Sequence, residues 1–224
     1  QIITPPAPAG SYNAVTGKGV VGGVEFTMKK IDVVTDGNLG DDSQNNNKPH
    51  TVNLSAYLIG ETEVTQELYQ AVMGNNPSFH QGSGNQPAAG EVQAKRPVEQ
   101  MSWYDAIAFC NALTQKTGLG DDACVYWVDG HVYNADDAGA KKEPEGRWSN
   151  KGFRLPTEAE WEWAAKGGTD DKWAGTNEQT QLVNYAWYNA NSNKTHEVKK
   201  KEPNGYGLCD MSGNVAEWCW DWYS

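Results

Sequence analysis

The sequence has no run of 18 or more apolar residues, so no stretch could cross a membrane as a helix. It is also poor in basic residues, with 18 Lys and Arg against 29 Asp and Glu and a formal charge of −11. The only basic run, residues 199–201, is interpreted as a solvated loop. Because nucleic-acid binding usually needs a basic face, we expect no nucleic-acid partner.

Cysteine and histidine are scarce, with four of each, and neither shows the spacing of a zinc site. The cysteines are Cys110, Cys124, Cys209 and Cys219. We interpret them as buried free thiols, with two disulfides as the alternative. Cys110 falls on the apolar face of a predicted helix, which favours a core thiol over a nucleophile.

Phenylalanine is also rare, with four residues, but the chain contains 10 Trp and 10 Tyr. These aromatic side chains can fill a core although only 38% of the residues are hydrophobic. Because no low-complexity linker divides the chain, we predict one domain over 12–224 behind a proline-rich tether at 1–11. Such a tether commonly joins an anchor to an exported domain, which predicts a location at the cell surface or in the periplasm.

Local patterns predict three short helices. They begin after Thr65, after Ser102 and after Thr157. The second and third carry capping-box patterns, in which side chains satisfy backbone N–H groups at the helix start. Alternating residues predict a hairpin over 12–34, one strand over 52–58 and two short strands over 125–133. Residues 35–49, rich in Asp, Asn and Gly, predict an exposed loop.

Five sequence blocks carry a family resemblance. They are GETEVT at 60–65, MGNNPSF at 73–79, RPVEQMSWYDA at 96–106, FRLPTEAEWE at 153–162 and NGYGLCDMSGNVAEW at 204–218. In this order they resemble the formylglycine-generating enzymes, also called sulfatase-modifying factors, over about residues 20–224. The resemblance implies an α+β, C-type-lectin-like fold of the formylglycine-generating-enzyme type, with few short helices, small twisted antiparallel sheets and many loops.

The resembling enzymes use copper and a cysteine pair near the C-terminal end to oxidise a substrate cysteine to formylglycine. None of the four cysteines of this sequence aligns with that pair, and the closing strands of the resembling proteins lie beyond Ser224. We therefore expect no catalytic residues and no copper in residues 1–224. Copper-dependent oxidation stays open as an alternative function.

The resemblance also implies a calcium site in the fifth block. The matching loop of the resembling enzymes binds calcium through the positions of Asp210, Gly213, Val215 and Glu217. Carboxylate and carbonyl oxygens are the ligands that calcium prefers. The alternative is that Asp210 caps the turn and Glu217 pairs with a base such as Arg154. A second site involving Asn184 and Tyr185 is expected to be empty.

A candidate ligand site follows the fifth block. Trp220, Asp221 and Trp222 combine aromatic rings with a carboxylate, which suits a polar ligand. The alternative is that these tryptophans belong to an aromatic core.

The resulting functional hypothesis is a non-catalytic protein that binds a protein or small-molecule ligand through its C-terminal surface. The variable proteins of diversity-generating retroelements resemble this chain most closely, because they display variable residues on the same version of the lectin fold. A third possibility is an accessory domain of a cell-surface protein.

Overall fold

The computed structural model describes residues 10–44 and 46–222, and it divides the chain into two compact units. The first unit contains residues 10–26 together with Glu67–Pro77 and Gln100–Leu155. The second contains the described residues among 27–66, Ser78–Glu99 and residues 156–222. Residues 1–9 of the predicted tether lie outside the described residues, whereas Gly10 and Ser11 belong to the first strand. Within the described ranges, no helix has the length and apolar character needed to span a bilayer.

The first unit is built around a long helix. Its elements are β1 (Gly10–Asn13), β2 (Lys18–Val21), the start of β3 (Val24–Ile31), α1 (Gln66–Met73) apart from its first residue, α2 (Trp103–Lys116), β7 (Tyr126–Val128), β8 (His131–Val132), α3 (Ala135–Gly139) and β9 (Glu145–Gly146). β1 pairs antiparallel with β2, and β7 lies between β8 and β9. Asn111 of α2 donates to the Tyr126 and Tyr133 carbonyls, so the helix is fixed to this small sheet.

The second unit contains the candidate site. Its elements are the rest of β3, β4 (Val34–Leu39), β5 (His50–Leu54), β6 (Tyr57–Gly60), α4 (Glu158–Lys166) and α5 (Leu182–Tyr185). β3 pairs antiparallel with β6, and β4 with β5. A core cluster of Ile31, Ala164, Ala174, Leu208 and Met211 is flanked by partly buried aromatic residues such as Trp161 and Trp163.

The predicted capping boxes are confirmed. Ser102 accepts from the Asp105 N–H, Thr157 accepts from the Glu160 N–H, and each acidic side chain bonds back to its cap. α4 ends at Gly167, whose φ of 62° is left-handed and therefore favours glycine. These local signals located both helices because their capping bonds join residues only three apart.

Two predictions for the strands were wrong. Residues 35–39 of the predicted loop belong to β4 (Val34–Leu39), since Val34, Gly37 and Leu39 are buried while the polar residues between them face outward. The single strand predicted over 52–58 is two strands, β5 and β6. The short helices α3 and α5 were also missed, although Asn134 and Asp137 form a capping box before α3.

Candidate functional site

A glycine-rich loop at 204–217 forms the candidate site, and Asn204 anchors it to the end of α4. The Asn204 Nδ2 donates to the carbonyls of Ala164 at 2.8 Å and Ala165 at 3.1 Å. Its Oδ1 accepts from the N–H groups of Tyr206 at 3.0 Å and Leu208 at 3.1 Å. One buried side chain therefore satisfies helix carbonyls and loop N–H groups at once.

The backbone of Trp187 approaches position 213 so closely that only glycine fits there. The φ of Gly213 is 109°, and a Cβ at this position would collide with the Trp187 carbonyl oxygen. The next residue, Asn214, accepts from the His196 N–H at 2.9 Å, while its own N–H donates to the Trp187 carbonyl at 2.8 Å. The turn is thus held from two sides by backbone groups.

Glu63, three residues after the end of β6, fixes the same turn. Its Oε2 accepts from Asn214 Nδ2 at 2.8 Å, and its Oε1 accepts from the Val215 N–H at 3.0 Å. Glu63 is only 7% exposed. Burial, followed by the charges of Glu217 and Asp210, raises the pKa of Glu63 well above its usual value.

Asp210 is the second buried carboxylate. Its Oδ2 accepts from the Lys199 N–H at 2.7 Å, whereas its buried Oδ1 has no hydrogen-bond partner among the described residues. Burial raises the pKa of Asp210, against the opposing effects of the Lys199 hydrogen bond and the charge of Lys201. An unsatisfied carboxylate oxygen in a buried place is costly, because it has lost its water without gaining a donor.

Glu217 is the third carboxylate of this cluster. Burial of its carboxyl group and the charge of Asp210 raise its pKa to about 7, despite a hydrogen bond from Trp161. The residue as a whole is exposed, so solvent moderates this shift. Three acidic groups therefore meet at this loop, and each is more stable when it is protonated or when a cation lies beside it.

A cavity of about 630 Å³ opens beside the loop. Its wall combines aromatic rings, apolar side chains and carboxylates: Glu158, Trp161, Trp173, Leu182, Ala186, Tyr188, Asp210, Met211, Ser212, Gly213, Val215, Ala216, Glu217 and Cys219. A space of this size and lining suits a small molecule or a side chain of a partner.

The four predicted calcium ligands Asp210, Gly213, Val215 and Glu217 all line this cavity, so the fold brings them together. No group of three or more His, Cys, Asp or Glu side chains within the described ranges is arranged to hold a metal. A cation here would therefore depend on two carboxylates and on backbone carbonyls. A cation at this place would give the Oδ1 of Asp210 a partner. It would also supply the positive charge whose lack is consistent with the raised pKa of this carboxyl group.

The residues of the predicted ligand site lie next to the cavity but outside its lining. The Trp220 N–H donates to the Pro156 carbonyl at 2.8 Å, and Asp221 Oδ2 accepts from the Glu158 N–H at 2.5 Å. Asp221 therefore sits at the start of α4, where a carboxylate is favoured by the helix dipole. Trp222 is 74% exposed. Ligand binding by these three residues stays a prediction.

All four cysteines are free thiols. Burial raises the pKa to about 12 for Cys110, Cys124 and Cys219, and to about 11 for Cys209. Because the thiolate is the form that attacks disulfides and binds soft metals, these raised pKa values favour the less reactive thiol form at neutral pH.

Sequence reasoning missed Glu63, Trp161, Trp173 and Tyr188 as parts of this site. Glu63 reaches residues 151 and 152 positions away, and Trp161 reaches the cavity from α4. No local pattern marks such contacts. The one available signal for Glu63 was its place in the first family-like block.

The short helices, the small antiparallel sheets and the partly buried glycine-rich loop define a C-type-lectin-like fold of the formylglycine-generating-enzyme type. A family model described as the sulfatase-modifying factor enzyme 1-like domain matches residues 17–224, and the chain belongs to this family.

Three similar proteins are informative. The solved structure of Treponema denticola variable protein 1 is 55% identical with a TM-score of 0.83, over 97% of this chain and 78% of that one. Chaperone protein LppX of Paenibacillus barcinonensis is 35% identical, over 86% of this chain and 71% of LppX. The formylglycine-generating enzyme of Streptomyces coelicolor is 28% identical, over 98% of this chain and 73% of that enzyme. The predicted likeness to variable proteins is confirmed.

Proposed function

We propose that this chain is a non-catalytic binding protein, of the type encoded with diversity-generating retroelements, that presents a variable surface on a lectin-like framework. The observation that carries the proposal is the 55% identity to a variable protein across 97% of the chain. The high pKa values of the four thiols also favour binding over thiol oxidation. The ligand, a protein or a small molecule, would meet the C-terminal surface.

The placement of the aromatic residues supports this function. Trp218 and Trp222 are 49% and 74% exposed, and they follow a loop that Glu63 and Asn204 hold rigidly. Exposed tryptophans on a fixed backbone contribute large contact area at little conformational cost. Because the side chains of Glu63 and Asn204 hold the loop, residues on its surface can be replaced while the loop keeps its structure.

We further propose that calcium is a structural cofactor of the loop. Asp210 and Glu217 would supply carboxylate oxygens, and the carbonyls of Gly213 and Val215 would complete the set. A bound cation supplies positive charge to a buried acidic cluster and so keeps these carboxylates ionised. Export to the cell surface or periplasm, suggested by the proline-rich start of the sequence, is part of the same proposal.

The display function predicts that the exposed tryptophans are tolerant of substitution. Trp218→Ser and Trp222→Ser should each change the free energy of unfolding by less than about 0.5 kcal/mol, because exposed side chains add little to stability. Urea unfolding measures the effect. The matched control is Trp163→Ser, which removes a ring packed on the core cluster and should cost about 3 kcal/mol. Equal losses at exposed and packed positions would contradict a display surface here.

A further inference from the structure

The cavity beside the glycine-rich loop has an unbalanced charge. Its wall contains the carboxylates of Glu158, Asp210 and Glu217 and, among the described residues, no Lys, Arg or His side chain. All of the lining residues belong to the second unit. Calcium would bind Asp210 and Glu217, and its two positive charges would offset two of the three carboxylates. One negative charge of the wall therefore has no counter-charge even when the metal site is filled.

Glu158 is a cavity carboxylate that lies outside the four predicted calcium ligands. It is exposed, and its side chain makes no hydrogen bond or ion pair with the described residues. Glu158 begins α4, and Trp161 follows three residues later, so the two side chains are neighbours on one face of the helix. Both residues line the cavity. A negative charge and an aromatic ring therefore lie together on this part of the wall.

Three aromatic side chains, Trp161, Trp173 and Tyr188, line the same cavity. Each is partly buried. The face of an aromatic ring attracts a cation that lies within about 6 Å of the ring centre. Trp173 makes such a contact within the chain, because Lys172 Nζ lies 4.7 Å from its ring centre. The rings and the carboxylates of this wall therefore attract the same kind of group, one with a positive charge.

The buried part of the wall also lacks a cation from the chain itself. Asp210 is 3% exposed, and its Oδ1 has no hydrogen-bond partner among the described residues. The charge of Lys201 lowers the pKa of Asp210, but Lys201 Nζ donates to the Val183 carbonyl and lies 3.8 Å from the ring centre of Trp187. This lysine is therefore engaged outside the cavity, since neither Val183 nor Trp187 lines it.

We propose that the cavity binds an organic cation, namely the ammonium or guanidinium group of a lysine or arginine side chain on a partner protein. The positive group lies between the carboxylate of Glu158 and the rings of Trp161 and Trp173. The alkyl stem packs on apolar residues of the wall such as Leu182 and Met211. The volume of about 630 Å³ is in the range of ligand sites. This inference rests on the proposed binding function and names the chemistry of its ligand.

Titration of the full chain with Nα-acetyl-lysine amide and with Nα-acetyl-arginine amide tests the proposal. Both compounds should shift the indole N–H resonances of Trp161 and Trp173. Nα-acetyl-norleucine amide has a similar stem without the charge and should bind at least about tenfold more weakly, because one charged interaction is lost. Binding of the lysine compound should persist in saturating calcium, because Glu158 is outside the calcium ligands.

Three variants locate the binding site. Glu158→Gln should weaken binding of the lysine compound about tenfold, the value of one charged hydrogen bond. Trp173→Leu keeps the wall apolar but removes a ring, and it should weaken binding about threefold. The matched control is Glu178→Gln, which removes an exposed carboxylate of the same unit outside the cavity and should change nothing. Thermal melting of each variant checks that it keeps its fold.

Several outcomes would overturn the proposal. Equal affinity for the norleucine compound would exclude recognition of the charge. Equal losses in Glu158→Gln and Glu178→Gln would mean that only the net charge of the chain attracts the amine. Loss of binding in saturating calcium would place the amine on the metal carboxylates instead of Glu158. Absence of amine binding in a chain that forms no formylglycine would remove this ligand class and leave the proposed binding function, whereas formation of formylglycine would contradict that function itself.

Discussion

Replacing Asn204 with alanine is expected to lower the free energy of unfolding by about 3 kcal/mol or more. The change leaves two helix carbonyls and two loop N–H groups without their partner, and each buried unsatisfied group costs about 1 kcal/mol or more. Urea unfolding of the variant measures the loss.

The matched control for this prediction is Asn75→Ala, because Asn75 is an exposed asparagine. Its substitution should change the free energy of unfolding by less than about 0.5 kcal/mol. A small loss in Asn204→Ala, similar to that of the control, would mean that Asn204 does not anchor the loop to α4.

Calcium is expected to raise the melting temperature of the wild-type chain and to leave that of Asp210→Ala unchanged. At a calcium concentration one hundred times the Kd, the stabilisation of the wild type should be about 2.7 kcal/mol. The effect arises because Asp210 Oδ1 has no hydrogen-bond partner among the described residues and would gain a cation. Thermal melting with calcium, compared with the same buffer containing a chelator, measures it.

Two comparisons sharpen the calcium prediction. Asp122→Ala removes an exposed carboxylate of the first unit and should retain the full calcium response. Asp210→Asn without calcium should be at least as stable as the wild type, since it removes a buried charge whose pKa is raised. If calcium stabilises neither the wild type nor the control, the metal site is wrong.

The same carboxylates set the sign of the pH dependence. The folded pKa of Glu217 is raised from 4.5 to about 7, so its protonated form favours the fold. This contribution to stability is fully present below about pH 4.5 and is lost as the pH rises through 7. Without calcium, the chain should therefore melt at a lower temperature at pH 8 than at pH 6. Calcium should reduce this difference, because it stabilises the ionised form.

The sequence was sufficient to predict features that depend on neighbours in the chain. The caps at Ser102 and Thr157 join residues three apart, and both were found. The resemblance implied four candidate calcium ligands, and the fold places these four residues on one cavity wall. The family blocks thus located the loop, although they did not reveal how it is held.

Features that depend on distant residues could not be predicted. Glu63 supports the loop from 151 positions away, and no local pattern identifies its partner. β4 was missed because Thr35, Asp36 and Asn38 suggest a loop, while its pairing with β5 and the burial of Leu39 make it a strand. In both cases tertiary contacts decide the structure of a segment whose composition favours something else.

The central proposal is that this chain binds a ligand and does not oxidise cysteine, and an aldehyde assay tests the second part of it most directly. The chain is incubated with copper and a cysteine-containing sulfatase peptide, with the Streptomyces coelicolor enzyme as positive control, and mass spectrometry detects formylglycine. We expect aldehyde only in the control, because Cys110, Cys124 and Cys209 are buried, Cys219 is partly buried, and burial raises the pKa of all four thiols to about 11 to 12. Formation of aldehyde by this chain at a rate similar to that of the control would contradict the account.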